Sequence, residues 1–292
     1  FAFGPEAKAE KALAYAGERL AEARAMATAS KSRGLERAAA GYDKFLSIAA
    51  EKVEEARQQG LPEDLSERVA LAASKHLSVL DTVADALPEV TPEQARQAIT
   101  RAKEASINGQ KNALRVLARG KPDRAIEINL DTISGRLNRA RAAAGESDTE
   151  GVEDAINDTE KLFKFGEEIS EIARGLGKDT TTVEELVARA TTIHLEVLAA
   201  VYEKVPEQAR PAIERVMASS IRGHDTAVEA LKEKGALGEG VTAEAILPEI
   251  VPQEVRDRIS GLKREVPEPA VSENGTEKRQ IPGPAMERGR RP

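Results

Sequence analysis

The sequence predicts an all-α protein: two tandem antiparallel up-down helical bundles of about four helices each, followed by a disordered Pro-rich C-terminal tail. Three observations predict it. The 292 residues are 32% charged and 40% hydrophobic with only 3% aromatic and no tryptophan, a balance dominated by Ala, Glu, Arg, Leu and Lys that suits long helices. One stretch occurs twice, as KHLSVLDTVADALPEVTPEQARQAITRAKEASINGQKNALRVL from Lys75 and as IHLEVLAAVYEKVPEQARPAIERVMASSIRGHDTAVEAL from Ile193. Apolar residues recur at helical spacing nearly throughout, and no segment alternates as a strand would.

The duplication extends beyond the hairpin. In the register that aligns Gly34 with Gly151, GERLAEARAM (17–26) faces SGRLNRARAA (134–143), and AAEKVEEARQQG (49–60) faces GEEISEIARGLG (166–177). His76 aligns with His194. From PEQAR onward the second copy is shorter by about one helical turn, a deletion that leaves the packed face unchanged.

Each copy reads as four helices. Pro5 opens the first, to about Ala29, with Leu13, Ala16, Leu20, Ala23 and Ala27 on one stripe. Ser32-Arg33-Gly34 is expected to break it. The second, about 35–58, carries Leu35, Tyr42, Phe45, Ala49, Val53 and Ala56, and Gly60 stops it where a left-handed C-terminal cap is favoured. The third begins at Leu61-Pro62-Glu63-Asp64 and places Leu65, Val69, Ala72, His76, Val79, Val83 and Leu87 inward. Thr91 is expected to cap the fourth, with Pro92 at its first helical position, and Ile99, Ala102, Ser106, Gly109, Ala113 and Leu117 face in. After the joint Gly120-Lys121-Pro122-Asp123, helices are expected near 123–144, 150–175, 182–204 and, after Pro206, 207–234. Two short helices, 243–247 and 253–266, precede the tail. The domain limits follow: repeat 1 over 1–120, repeat 2 over 121–237, a short helical extension over 238–266 and the tail over 267–292. Each bundle is large enough for its own core.

Composition bounds function. A net charge of -7 argues against general nucleic-acid binding. The absence of cysteine excludes thiol catalysis and thiolate metal sites. No apolar run is long enough to span a membrane. The chain starts at Phe1 without an initiator methionine, which reads as a processed form or fragment and leaves open what precedes Phe1, a signal or an anchor included.

The candidate site residues are few. His76, His194 and His224 are the only histidines and so the only candidate metal or proton-switch ligands, yet no acid or second histidine stands one turn away on the inner face. The expected role of His76 and His194 is therefore a packed histidine hydrogen-bonded across its hairpin, with Ser106 and Ser220 about a turn away. Gln110 replaces His224 in the first copy. Gly109 and Gly223 interrupt good helices at equivalent positions, which points to close approach of a neighbour. The pairs Glu54-Glu55, Glu167-Glu168 and Glu184-Glu185 read as solvated faces. Asn274-Gly275-Thr276 fits a glycosylation triplet, and Arg288 to Arg291 form a small basic end. No phosphate-binding loop or catalytic triad is present, and no cofactor or small-molecule substrate is expected.

The pattern HLEVL…PEQAR…SSIRGHDTAVEAL over 194–231, with GPEAKAEKALAYAGERLAEARAM over 4–26, resembles an uncharacterised all-helical domain family of bacterial envelope proteins. The resemblance covers about residues 4–235, though Gln110 stands where the family usually has a histidine. It implies an extracytoplasmic location, downstream of a signal peptide or single anchor helix, and brings no catalytic residues. The expectation is a non-enzymatic helical scaffold or protein-interaction module, whose partner is another protein or a second copy in an oligomer or filament. Peripheral contact with a membrane is compatible with its amphipathic helices. The alternatives are an amphipathic-helix protein that opens onto lipid or a granule surface, and a metal or pH sensor built on the histidines.

Overall fold

A computed structural model describes residues 4–262 apart from 61–62, 239–240, 243, 246 and 250. The described elements are α1 (Pro5–Thr28), α2 (Ser32–Gln58), α3 (Asp64–Asp85), α4 (Glu93–Gly120), α5 (Pro122–Gly145), α6 (Thr149–Gly175), α7 (Thr181–Lys204), a 3-10 turn (Glu207–Ala209), α8 (Arg210–Glu233) and α9 (Gln253–Leu262). No strand occurs among the described residues. Among them, no helix is long and apolar enough to cross a membrane.

Successive helices pair as antiparallel hairpins, and the hairpins stack. Helices α1, α3, α5 and α7 contact one another in order along one layer, and α2, α4, α6 and α8 along the other. The two halves are thus an up-down helical tandem repeat arranged like a short α-solenoid. The expectation that each half holds its own core is corrected. Lys121 alone separates α4 from α5. One cluster of buried apolar side chains runs from Ala9 and Val53, through Leu114, Ile126 and Phe165, to Ile259. A second cluster fills the end of the first half around Leu35, Tyr42 and Leu80. Small side chains allow this continuity, because hairpins lined by alanine approach closely enough to merge their interiors.

The duplication is visible in the backbone. Ser30 and Ser147 occupy equivalent turns with φ of 53° and 60°, and Gly60 and Gly177 with φ of 73° and 67°. Left-handed residues are uncommon outside glycine, so their recurrence at matched serines marks an inherited turn. The break after α1 therefore lies at Ala29–Lys31, and Gly34 falls inside the first turn of α2 rather than between helices.

Other local expectations need correction. Pro92 occupies the cap position of α4 with extended ψ, one residue earlier than expected, and Thr91 makes no side-chain cap. The Arg96 guanidinium instead donates to the carbonyls of Pro88 and Glu89 at 2.7 and 3.2 Å, closing the loop. Pro206 caps the 3-10 turn, and α8 begins only at Arg210 with Pro211 in its first turn. On α3 the buried stripe is Leu65, Val69, Ala73, Leu77 and Leu80. His76 stands at its edge. Glu244, Ala245 and Leu247 are not helical, while Ala243 and Ile246 lie outside the described residues. So does the tail, with Asn274 and the basic end.

Candidate functional site

The structure places the three histidines in three different settings. His76 is half-buried with its ring edge-on to Tyr42, the centroids 5.5 Å apart. His194 is buried and edge-on to Phe163 at the same 5.5 Å. Its Nε2 lies 3.1 Å from the Ser134 hydroxyl of α5, so its bond runs to the neighbouring hairpin and not across its own. Ser106 and Ser220 instead donate to the backbone carbonyls of Ala73 and Thr191, each three residues before its histidine. Burial holds both imidazoles below the usual histidine range, His194 down to about 4. His224 Nδ1 lies 3.0 Å from the Ala188 carbonyl and 3.2 Å from the Thr191 hydroxyl, and its Nε2 lies 3.1 Å from the Thr242 carbonyl. Gln110, its counterpart, donates to Thr132 of α5 at 2.6 Å. Both residues thus tie a hairpin to whatever follows it in the stack. No group of three or more His, Cys, Asp or Glu side chains positioned to hold a metal occurs among the described residues.

A buried ionic cluster joins the halves, and reading the sequence did not find it. Asp81 of α3 is 2% exposed and pairs with Arg136 of α5, with Lys103 of α4 at 3.1 Å and with Arg139 at 3.6 Å. Lys103 also reaches Asp154 of α6 at 3.0 Å. Arg139 forks onto Asp85 through two bonds of 2.6 and 2.8 Å. Burial alone would depress the Lys103 ammonium, but the fields of Asp81, Asp154 and Asp158 together hold it above the ordinary lysine range. Burial also pushes the Asp158 carboxyl up, against the pull of Lys103, Lys161 and Arg136. Further along the same junction Arg115 forks onto Glu168, and Arg124 onto Glu67 and Glu127. Four helices therefore share one set of charges, which fixes how the second hairpin sits on the third.

The equivalent glycines do different work. A Cβ on Gly109 would stand 3.0 Å from Leu46 Cγ, and Leu46 is fully buried, so the glycine admits that leucine as expected. A Cβ on Gly223 would meet nothing closer than the Thr191 methyl carbon at 4.0 Å. The expected close approach fails there. Phe163 replaces Leu46 in the repeat and turns its ring to His194, leaving a cleft of about 360 Å³ between the third and fourth hairpins. Opposite outcomes are expected on substitution. Gly109→Ala should destabilise by about 1 kcal/mol, because overpacking outweighs the gain in helix propensity. Gly223→Ala should stabilise by about 0.5–1 kcal/mol. Urea unfolding midpoints of the two variants check this, and shifts of the same sign would contradict it.

The same cleft corrects the reading of the acidic pairs. Glu54 is ion-paired with Arg57, and Glu167 is exposed. Glu184 is only 3% exposed, and one carboxylate oxygen, Oε1, has no hydrogen-bond partner. Asn129, from α5, lines the same cleft and is fully buried; its amide donates to the Leu162 carbonyl at 3.0 Å while its own oxygen is likewise unpartnered. The first copy has Ser66 in place of Glu184 and Ala12 in place of Asn129. Comparing the copies position by position is the signal that would have singled out both residues.

Comparison with known proteins bears on the fold and on the first third of the chain. The chain is similar to a circular tandem repeat protein with novel repeat topology and enhanced subunit contact surfaces. The match has a TM-score of 0.57 at 19% sequence identity and covers 79% of this chain and 50% of that one, so the chain spans half the length of that structure. No curated protein matches. Residues 1–90 match the model of a family described as Domain of unknown function (DUF5667). The resemblance to an uncharacterised domain family therefore holds over α1 to α3, including the 4–26 pattern, and the 194–231 pattern lies outside the matched residues.

Proposed function

We propose that the protein is a non-enzymatic, extracytoplasmic helical scaffold that binds another protein, or a second copy of itself, along its stacked hairpins. The observation that carries this reading is the groove between α2 and α4. It is about 780 Å³ in volume, open to solvent, and lined by charges of both signs, among them Asp43, Glu51, Glu54, Arg101, Arg115 and Arg119. An open groove flanked by charges of both signs suits a macromolecular surface better than a small substrate, which calls for an enclosed hollow. The extracytoplasmic assignment rests on the family resemblance. The net charge of -7 favours a protein partner over nucleic acid.

The test is photocrosslinking from the groove. Exposed Asn108 or Asn112 would carry the photoreactive side chain, with exposed Glu229 of α8 as the control position. The expected result is a discrete adduct from the groove positions alone, in the cell-envelope fraction. Its mass assigns a second copy or another protein. Adducts from both positions alike, or from neither, would overturn the reading. Flotation of the intact protein with anionic vesicles would favour the lipid-surface alternative instead.

A further inference from the structure

We infer that the cleft between the third and fourth hairpins is a binding site for an alkylammonium group, a primary amine carried on a short apolar chain. The inference goes beyond the scaffold reading, because the groove between α2 and α4 plays no part in it.

Two features define the ligand. The floor of the cleft is apolar, formed by Ile126, Leu130, Ile133, Phe163 and Val187. Its wall carries two buried acceptors without donors, Glu184 Oε1 and Asn129 Oδ1. A buried acceptor left unpaired is costly, the more so when it carries charge. A ligand that relieves either must donate a hydrogen bond and must bring an apolar body to cover the floor. An ammonium on an alkyl chain does both, whereas a carboxylate or phosphate would add acceptors to acceptors. Acids outnumber bases in the lining, with Glu167, Glu171 and Glu184 set against Arg174 and Arg222. Arg222 is engaged with the Ser219 hydroxyl at 2.8 Å, and Arg174 with the Ser170 carbonyl at 3.4 Å.

The equivalent interface of the first copy carries the open α2–α4 groove, but the buried acceptors belong to the second copy alone. In the first, Leu46 packs against Gly109, and the two acceptors are replaced by Ala12 and Ser66, whose hydroxyl is satisfied by the Glu63 carbonyl. Of two equivalent interfaces, the duplicated scaffold has thus set unpartnered polar groups inside one. Burial pushes the Glu184 carboxyl up, against Arg174, Lys234 and the Thr180 hydroxyl, and a bound cation would favour its ionised form. Affinity for the ammonium should accordingly rise with pH through that raised value.

The experiment is an amide-detected NMR titration of the full chain with n-hexylammonium, n-hexanol and Nα-acetyl-lysine amide. Saturable shifts confined to α5–α8 are expected with hexylammonium, with the alcohol binding at least about tenfold more weakly. Tighter binding of the blocked lysine would assign the site to a partner's lysine side chain, and tighter binding of hexylammonium to a free amine. Glu184→Gln keeps the shape, removes a buried charge, and should reduce ammonium affinity about tenfold without loss of fold. Gly223→Leu should fill the cleft and abolish binding. Absence of saturable shifts at millimolar ammonium, equal affinity for the alcohol, or unchanged affinity in Glu184→Gln would each overturn the inference.

Discussion

Asp81→Leu is expected to destabilise the protein by about 3–5 kcal/mol, a large share of the stability of a typical domain. The reason is what the change leaves behind. The side chains of Arg136 and Lys103 are 4% and 8% exposed, and both rely on Asp81 as a partner. Without it Lys103 keeps Asp154, which is itself largely exposed, and Arg136 keeps only a long contact of 3.5 Å to the Ser78 hydroxyl. Desolvated cations without a counter-charge cost more than the intact cluster contributes. The apolar alternative is already present in the molecule. Where the first copy has Asp81 and Lys103, the second has buried Ala199 and Met217. The triple variant Asp81→Leu, Lys103→Met, Arg136→Leu should therefore recover most of the loss. Urea unfolding at low and high salt checks both statements. Because the charges are buried, salt should change neither result appreciably. A loss below about 1 kcal/mol in Asp81→Leu, or a triple variant worse than the single, would show that the cluster does not hold the second and third hairpins together.

The contrast between the copies also explains what could be read before the fold was known. Helices, turns and the duplication were legible because they depend on local chemistry. Gly60 and Gly177 sit at left-handed caps, and the Ile99, Ala102, Ser106, Gly109, Ala113 and Leu117 stripe is buried as spaced. The histidines were legible as packed side chains but not in their partners, since Ser134 reaches His194 from another hairpin. Long-range placement is what a helical period does not encode. On α3 the chosen stripe ran through Ala72 and His76, rotated from the buried one, and this hid Asp81 one turn beyond Leu77. Glu184 was lost for a different reason. With Glu185 it reads as a solvated acidic pair, and an acid in the first turn of a helix is favoured by the helix dipole without any tertiary partner. The informative sign in both cases was a difference between equivalent positions: Asp81 for Ala199, Lys103 for Met217, Glu184 for Ser66. Two opposite charges that appear together in one copy and are absent from the other are more economically explained by contact than by exposure.

His194 should make the protein acid-sensitive in a defined window. Its imidazole is 1% exposed, packed on Phe163 and hydrogen-bonded to Ser134, and burial lowers it from 6.5 to about 4. The unfolded chain therefore binds the proton more readily than the folded one. Its contribution to stability is complete above the unfolded value of 6.5 and is lost as pH falls from there toward about 4, by about 3 kcal/mol in all. His76, depressed by the same cause, acts in the same direction. The buried carboxyls of Asp158 and Glu184 act in the opposite one. Their folded values are raised, so acidification through those values favours the native state. A single pH profile would mix these contributions. The measurement that separates them is the difference in unfolding free energy between the native sequence and His194→Gln, followed from about pH 7 to about pH 4.5. Both proteins keep the carboxyls and His76, so those contributions cancel. The native sequence should lose its advantage over the variant, or fall further behind it, by about 2–3 kcal/mol across that range. A difference that stays level with pH would mean that His194 is protonated in the folded protein as easily as in the unfolded chain, and that the pocket between Phe163 and Ser134 admits its charge.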